Sequence, residues 1–92
     1  MNDFLSMLNQ YDKIVLDVNV FTDDDAVLLQ GIKFNVYDYY EEETYLKLVQ
    51  FNGAELILPK EECSYLSEEE DGGNWVFKHG NLQIFILPSY LE

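Results

Sequence analysis

Carboxylates are the side chains best able to do chemistry in this sequence, and their densest stretch is Asp38-Tyr39-Tyr40-Glu41-Glu42-Glu43. Such groups can transfer protons, bind divalent cations or pair with a positively charged surface. An ionised carboxylate is costly to bury without a partner, so this stretch must face water or a cationic partner. We therefore predict that it is an exposed connection between strands and forms a binding surface.

A calcium site is the first chemistry to consider, because Asp17 and Asn19 precede a run from Asp23 to Asp25. A calcium-binding loop of this spacing needs a glycine and a bidentate glutamate at the positions where Thr22 and Leu28 stand. The motif therefore fails. We treat the run of three aspartates as a secondary acidic site, and whether it binds a metal is left open by the sequence.

The sequence lacks the motifs that usually indicate an active site. Cys63 and His79 are the single cysteine and the single histidine, so they cannot form an internal disulfide or a structural zinc site. A nucleophilic pair would require these two residues to meet in the fold. No glycine-rich phosphate loop or nucleophile elbow accompanies the carboxylates. We predict that the protein is not an enzyme and uses no cofactor, and we assign no metal site, with the Asp23–Asp25 loop left open as above.

The charge balance indicates a basic partner. The chain has 18 Asp and Glu against five Lys and no Arg, for a formal net charge of -13, whereas a small domain usually carries a net charge of magnitude about 2 to 8. Two carboxylates roughly 6 Å apart in water repel by about 0.7 kcal/mol, so clustered acids destabilise a small fold unless a partner offsets them. The same charge repels phosphates and argues against direct binding to nucleic acid. A row of carboxylates instead imitates a phosphate backbone, and interspersed tyrosines can stack on Arg side chains.

Length and hydropathy predict a single domain spanning residues 1–92, since 48% of the 92 residues are hydrophobic. The sequence has no apolar run long enough for a membrane span. Its first residues lack the basic segment that opens a secretory signal. We predict a cytoplasmic protein that does not contact membranes.

Hydrophobic periodicity changes twice in the first half of the chain. Helical spacing predicts a short amphipathic helix from Asn2 to Tyr11. Alternation then predicts one strand from Ile14 to Phe21 and a second from Val27 to Tyr37, with a bulge at Gln30-Gly31. The predicted apolar face of the second strand carries Leu28, Ile32, Phe34 and Val36.

The dipeptide Asn52-Gly53 is the strongest hairpin signal in the sequence. A two-residue turn there pairs Leu48 with Ile57, and the pattern leaves open which face of this hairpin is buried. Pro59 ends the second strand of the hairpin, and one or two helical turns are predicted from Lys60 to Leu66.

The last part of the chain predicts another hairpin. Trp75 and Phe77 fall on one face and are predicted to be core residues, with the tight turn at His79-Gly80 or at Gly80-Asn81. Pro88 is predicted to end the final strand and to leave the last residues as a tail.

These elements predict an α+β fold, because short connections favour antiparallel neighbours. An N-terminal helix is followed by a mostly antiparallel meander of roughly five to six strands. In that meander Asp23–Asp25 lie at one end, whereas Asp38–Glu43 and the segment from Lys60 to Asp71 meet at the other. The predicted partner-binding residues are Asp38, Tyr39, Tyr40, Glu41, Glu42, Glu43, Glu61, Glu62, Tyr65, Glu68, Glu69, Glu70 and Asp71.

The small size, the lack of Arg and the acidic runs with interspersed Tyr resemble the small acidic proteins that phages make against host defence enzymes. These include anti-CRISPR proteins and DNA mimics. The resemblance implies stoichiometric inhibition in a bacterial cytoplasm, with the acidic end in the basic DNA-, RNA- or PAM-binding groove of a nuclease such as a CRISPR effector. The alternatives are an immunity protein or antitoxin that neutralises a basic toxin nuclease, a divalent-metal-binding domain, or a subunit that dimerises through an open sheet edge. The sequence leaves the oligomeric state open.

Overall fold

The computed structural model describes residues 2–24, 26–60, 62–66 and 74–92, with the backbone alone at residues 2, 65 and 66. Within these ranges one helix and eight strands follow each other along the chain. They are α1 (Asn2–Gln10), β1 (Ile14–Thr22), β2 (Val27–Val36), β3 (Asp38–Glu41), β4 (Tyr45–Val49), β5 (Glu55–Pro59), β6 (Glu62–Leu66), β7 (Asn74–His79) and β8 (Leu82–Leu91).

The predicted α+β class, the N-terminal helix and the antiparallel pairing are confirmed. The predicted strand number is wrong, because the described residues form a five-stranded and a three-stranded sheet. Two segments account for much of the difference. The stretch predicted as a connection is largely β3, and the helical turns predicted before Leu66 are strand β6, which pairs antiparallel with β7. Pairing with a neighbouring strand overrides the weak local preference of both segments.

The larger sheet is not a meander, since its strand order is β2-β1-β8-β7-β6. The first and last strands of the chain are neighbours, paired from Ile14 with Leu91 to Thr22 with Leu82. Pro88 therefore lies inside a strand and does not end it. A register shift beside Leu16, which pairs with Pro88, accommodates the missing proline N–H. The predicted tail is the end of this strand.

Strand β2 contains the predicted bulge, with Val18 opposite Ile32 and Val20 opposite Leu29. Gly31 has a φ of 69°, a left-handed conformation in which glycine is not strained. The predicted apolar face of this strand is only partly correct, because Phe34 is buried whereas Leu28 is 53% exposed. The N-terminal half of the strand extends beyond the elements that cover its C-terminal half.

The smaller sheet has the order β3-β4-β5, and the register of its second hairpin differs by one residue from the prediction. Leu48 pairs with Leu56, because Phe51, Asn52 and Gly53 together form the loop. The Gln50 amide donates to the Ala54 carbonyl at 2.9 Å, and Gly53 has a φ of 90°. This is a three-residue hairpin loop that ends in a left-handed glycine.

The shifted register decides which face of the small sheet is buried. Leu46, Leu48 and Leu58 are fully buried. They pack in one hydrophobic cluster with α1 and with the inner face of the five-stranded sheet. Phe4 of the helix contacts the rings of Trp75 and Phe77 edge-on, with centroids 5.4 and 5.3 Å apart. The predicted core positions of these two residues are confirmed, and the turn beyond them is Gly80-Asn81, since His79 pairs with Leu82.

Within the described ranges, no helix combines the length and the hydrophobicity that crossing a membrane would require.

Candidate functional site

The turn between β3 and β4, formed by Glu41, Glu42, Glu43 and Thr44, is the central feature of the candidate site. The Glu42 amide donates to the Tyr45 carbonyl at 2.9 Å, which closes the turn. Three successive glutamates cannot pack together without strong repulsion, so a solvated strand reversal is the place for them. All three glutamates are exposed.

Lys60 attaches the end of the neighbouring strand to this turn. Its ammonium group lies 2.9 Å from the Glu41 carboxylate and 2.9 Å from the Glu42 carbonyl oxygen. Its amide also donates to the Thr44 carbonyl at 3.0 Å. The lysine is half-buried, so its charge is directed at the turn. Within the described residues, the side chains of Glu42 and Glu43 make no hydrogen bond or ion pair.

The start of β3 is engaged with the rest of the fold. Tyr39 is half-buried, and its hydroxyl donates to the Asn9 side chain at the end of the helix. The Tyr40 hydroxyl donates to the Asp38 carboxylate at 3.2 Å, and this hydrogen bond raises the pKa of Tyr40. The Lys47 ammonium lies 5.1 Å from the centre of the Tyr40 ring, within range of a cation–π interaction. Both tyrosines therefore already have partners within the chain.

The turn after β1 carries the secondary acidic site. The Asp23 amide donates to the Asn81 carbonyl at 3.0 Å, and the Asp23 carboxylate accepts the Gln83 amide at 3.2 Å. The Thr22 hydroxyl donates to the Asp24 carboxylate, and this bond holds the pKa of Asp24 below its ordinary value. Asp25 lies outside the described residues.

A cavity of about 370 Å³ brings the two acidic turns into one region. Its walls come from both sheets and consist of Thr44, Tyr45, Ile57, Pro59, His79, Leu82 and Ile84. Thr44 adjoins the run of glutamates, and Leu82 adjoins Asn81, to which Asp23 is bonded. The expectation that Asp23–Asp25 lie at the opposite end from the glutamates is therefore wrong for the described Asp23 and Asp24. This expectation failed because the predicted topology was wrong. The structure pairs β1 with β8, whereas a meander would not make these strands neighbours.

Glu62 extends this acidic end onto the five-stranded sheet. It is exposed and pairs across the strands with Lys78, next to His79 of the cavity wall. From Glu62 the strand leads away from this end to Leu66. Tyr65 is described by its backbone alone, opposite Trp75, and Glu61, Glu68, Glu69, Glu70 and Asp71 lie outside the described residues.

We use the name acidic end for Asp23, Asp24, Glu41, Glu42, Glu43 and Glu62. Few lysines neutralise it. Among the described residues, ion pairs join Lys33 to Asp17, Lys47 to Glu55 and Lys60 to Glu41. Only the last involves the acidic end.

An exposed aromatic pair was not identified from the sequence. Phe51 at the tip of the β4–β5 loop is 84% exposed and meets the ring of Tyr37 edge-on at 5.2 Å. The available signal was the position of Phe51 next to Asn52-Gly53, because a turn residue has no core to enter.

Metal and thiol chemistry depend on clusters of ligands and on the state of Cys63. No three or more His, Cys, Asp or Glu residues there come together in a way that could hold a metal ion. Burial raises the pKa of the Cys63 thiol, which disfavours the reactive thiolate.

No protein-family model, curated protein or solved structure matches this chain.

Proposed function

We propose that the protein is a stoichiometric inhibitor that imitates nucleic acid. Its acidic end occupies the basic DNA-, RNA- or PAM-binding groove of a host defence nuclease, such as a CRISPR effector, and no reaction is catalysed.

The observation that carries this proposal is the pair of unpartnered glutamates beside two further acidic segments. Glu42 and Glu43 make no ion pair within the described chain. The exposed Asp23 is bonded to Asn81, and the exposed Glu62 pairs across the strands with Lys78; Asn81 and Lys78 each adjoin a residue of the cavity wall. Consecutive Cα atoms are about 3.8 Å apart, so the carboxylates of the Glu42–Glu43 turn are close enough to meet several Lys or Arg side chains of one groove.

Solvent exposure determines how such a surface would bind. Exposed carboxylates keep their water and their counterions until a partner displaces them. Association is then steered by long-range attraction and weakens as salt screens it. A buried ion pair would instead be shielded from salt, so salt dependence separates the two mechanisms.

Inhibition assays on purified nucleases test the proposal. A guide-loaded CRISPR effector and a restriction endonuclease are each titrated with the protein in the presence of their DNA substrates. At least one should be inhibited in proportion to added protein, with excess DNA restoring cleavage. The affinity should fall about tenfold or more between about 50 and 200 mM salt. Inhibition that is insensitive to salt, or resistant to added DNA, would refute the mimicry mechanism.

A matched pair of variants tests the surface. Glu42→Gln with Glu43→Gln removes charge from the acidic end. Asp12→Asn with Glu92→Gln removes the same charge beside the opposite end of β1, where the backbones of these two residues are bonded at 2.8 Å. We expect about tenfold weaker inhibition for the first pair and less than about twofold for the second. Equal losses would mean that net charge alone acts and that the acidic end is not the binding surface.

A further inference from the structure

The cavity of about 370 Å³ lies between two largely apolar walls and is open to solvent. One wall belongs to the small sheet, where Tyr45 of β4 pairs with Pro59 of β5 and lies near Ile57. The other wall belongs to the β7–β8 hairpin, where His79 pairs with Leu82. Natural ligand sites have volumes of about 300 to 1,000 Å³, so the cavity is large enough to take a side chain of another molecule.

The strand register places the carboxylate of Glu42 on the face that Tyr45 occupies. Glu41 pairs with Leu46, and one position further the Glu42 amide donates to the Tyr45 carbonyl at 2.9 Å. Glu42 therefore stands opposite Tyr45, and side chains at opposite positions of an antiparallel pair share a face. The Glu42 carboxylate is exposed and has no ion pair among the residues that the structure describes. A free carboxylate thus lies beside the small-sheet wall of the cavity.

The lysines of this region have other contacts. The Lys60 ammonium is bonded to the Glu41 carboxylate, and the Lys47 ammonium lies 3.9 Å from the Glu55 carboxylate. Lys78 lines a different cavity, on the opposite face of the five-stranded sheet from His79. An apolar cavity beside a free carboxylate favours a ligand that combines an apolar body with a cationic end.

Of the two basic side chains, arginine fits this combination better than lysine. A guanidinium group is planar, stacks on aromatic rings and forms two parallel hydrogen bonds with a carboxylate, whereas an ammonium group is a compact and strongly hydrated charge. Tyr45 supplies the ring and Glu42 supplies the carboxylate on one face. The methylene groups of an arginine can pack against Ile57 and Leu82 of the two walls.

We propose that this cavity takes up an arginine side chain from the basic groove of the inhibited nuclease. The inference rests on the proposed function, because the partner's groove supplies the arginine. The guanidinium stacks on Tyr45 and bonds to Glu42, and its stem fills the space between the two sheets.

An NMR titration of the full chain tests what the cavity binds without any nuclease. The probes are N-acetyl-arginine amide, N-acetyl-lysine amide and N-acetyl-phenylalanine amide. The arginine probe should shift the amide signals of Tyr45, Ile57 and Leu82, and it should bind about threefold or more tightly than the lysine probe. Glu42→Gln should weaken its binding about threefold or more, whereas the control Asp12→Asn should change it by less than about 1.5-fold.

Two results of the titration would overturn the proposal. Equal binding of the arginine and lysine probes, with shifts spread over the acidic surface, would mean that charge alone attracts them. Tighter binding of the phenylalanine probe at Ile57 and Leu82 would mean that the cavity takes an apolar aromatic side chain instead.

The nuclease assay then separates this contact from the proposed function. Ile57→Lys places a side chain of like charge at the cavity and should weaken inhibition about tenfold or more. Leu28→Lys is the matched control, since it adds the same charge at a 53% exposed apolar position on β2, and it should weaken inhibition less than about twofold. Circular dichroism establishes that both variants are folded.

Each proposal can fail without the other. Undiminished inhibition by Ile57→Lys, together with weaker inhibition by the Glu42→Gln and Glu43→Gln pair, would refute the cavity contact and leave the acidic end as the binding surface. If the wild-type chain inhibited no nuclease, the proposed function would fail, and the titration would still decide whether the cavity prefers arginine.

Discussion

The two acidic turns beside the cavity differ in what their carboxylates contact. In the turn after β1, Asp24 accepts the Thr22 hydroxyl and Asp23 accepts the Gln83 amide. In the turn after β3, Glu41 pairs with Lys60, whereas the side chains of Glu42 and Glu43 meet no donor among the described residues. One turn uses its negative charges within the fold, and the other presents them to solvent.

Side-chain length explains this difference. Asp has a short side chain that readily accepts hydrogen bonds from groups close to it in a turn. Glu has one more methylene and extends away from the backbone of a turn. A run of negative charge therefore does not by itself identify a binding surface. Within the acidic end, Glu42 and Glu43 can therefore pair directly with a partner, whereas Asp23 and Asp24 add to the negative potential around them.

Replacing the threonine of each turn should produce the largest difference between the two turns, measured as the free energy of unfolding. Thr22 both donates to Asp24 and accepts the Ala26 amide at 3.1 Å. The Thr44 side chain makes no hydrogen bond within the described residues. We expect Thr22→Ala to lower the free energy of unfolding by about 1 kcal/mol, the value of a typical hydrogen bond. Thr44→Ala should lower it by less than about 0.5 kcal/mol.

Urea unfolding followed by the fluorescence of the buried Trp75 measures both variants. Comparable losses of stability would show that the two turns do not differ in their internal bonding. A loss confined to Thr44→Ala would reverse the comparison.

Local sequence signals correctly predicted the elements that depend on neighbouring residues. Helical spacing located the helix that begins at Asn2, and Gly80-Asn81 was one of two predicted turns. The bulge beside Gly31 was also predicted, because a glycine interrupted an alternating pattern. Each of these features requires only a few adjacent residues.

Contacts between distant residues were not predictable from the same signals. The pairing of β1 with β8 joins the two ends of the chain, and no local sequence pattern indicates this pairing. The β4–β5 register was wrong by one residue, because Asn52-Gly53 indicates a turn but does not show whether Phe51 joins the loop. One residue of shift exchanges the two faces of a strand.

In the candidate site, too, the local features were predictable and the contacts between distant residues were not. The acidity of the Asp38–Glu43 stretch could be read directly from the sequence. The proximity of Asp23 to that stretch could not, since it depends on the position of β8 beside β1. Nor could the sequence show that Tyr39 bonds to Asn9, a contact between the small sheet and the helix.

Removing the lysine next to the glutamate turn should have a smaller effect on stability. Lys60→Met keeps most of the apolar stem but removes the ion pair with Glu41 and the bond to the Glu42 carbonyl. For a partly exposed pair we expect a loss of about 0.5 kcal/mol in the free energy of unfolding. The change also adds net negative charge to the acidic end, so affinity for an inhibited nuclease should rise by about twofold at low salt.

The matched control is Lys33→Met, which breaks the ion pair with Asp17 on the five-stranded sheet. It changes the net charge equally but should leave affinity for the nuclease within about 1.5-fold of wild type. If both variants increased the affinity equally, the Glu41–Glu43 turn would have no special part in binding.

The smallest expected effect is on the protonation of Asp24. The Thr22 hydroxyl stabilises the ionised carboxylate and so holds the pKa of Asp24 below its ordinary value in the folded chain. The unfolded chain therefore takes up this proton first as the pH falls. The contribution to stability is fully present above the pKa of the unfolded chain and is lost as the pH falls through the lower folded pKa.

An NMR titration of the side-chain carboxyl groups measures this pKa directly. Thr22→Ala should raise the pKa of Asp24 towards its ordinary value, and Thr44→Ala should leave it unchanged. An unchanged value in Thr22→Ala would show that the hydroxyl does not hold the carboxylate in solution. Asp24 would then be as available to a cationic partner as Glu42 and Glu43, and the distinction between a turn that uses its charges and one that presents them would disappear.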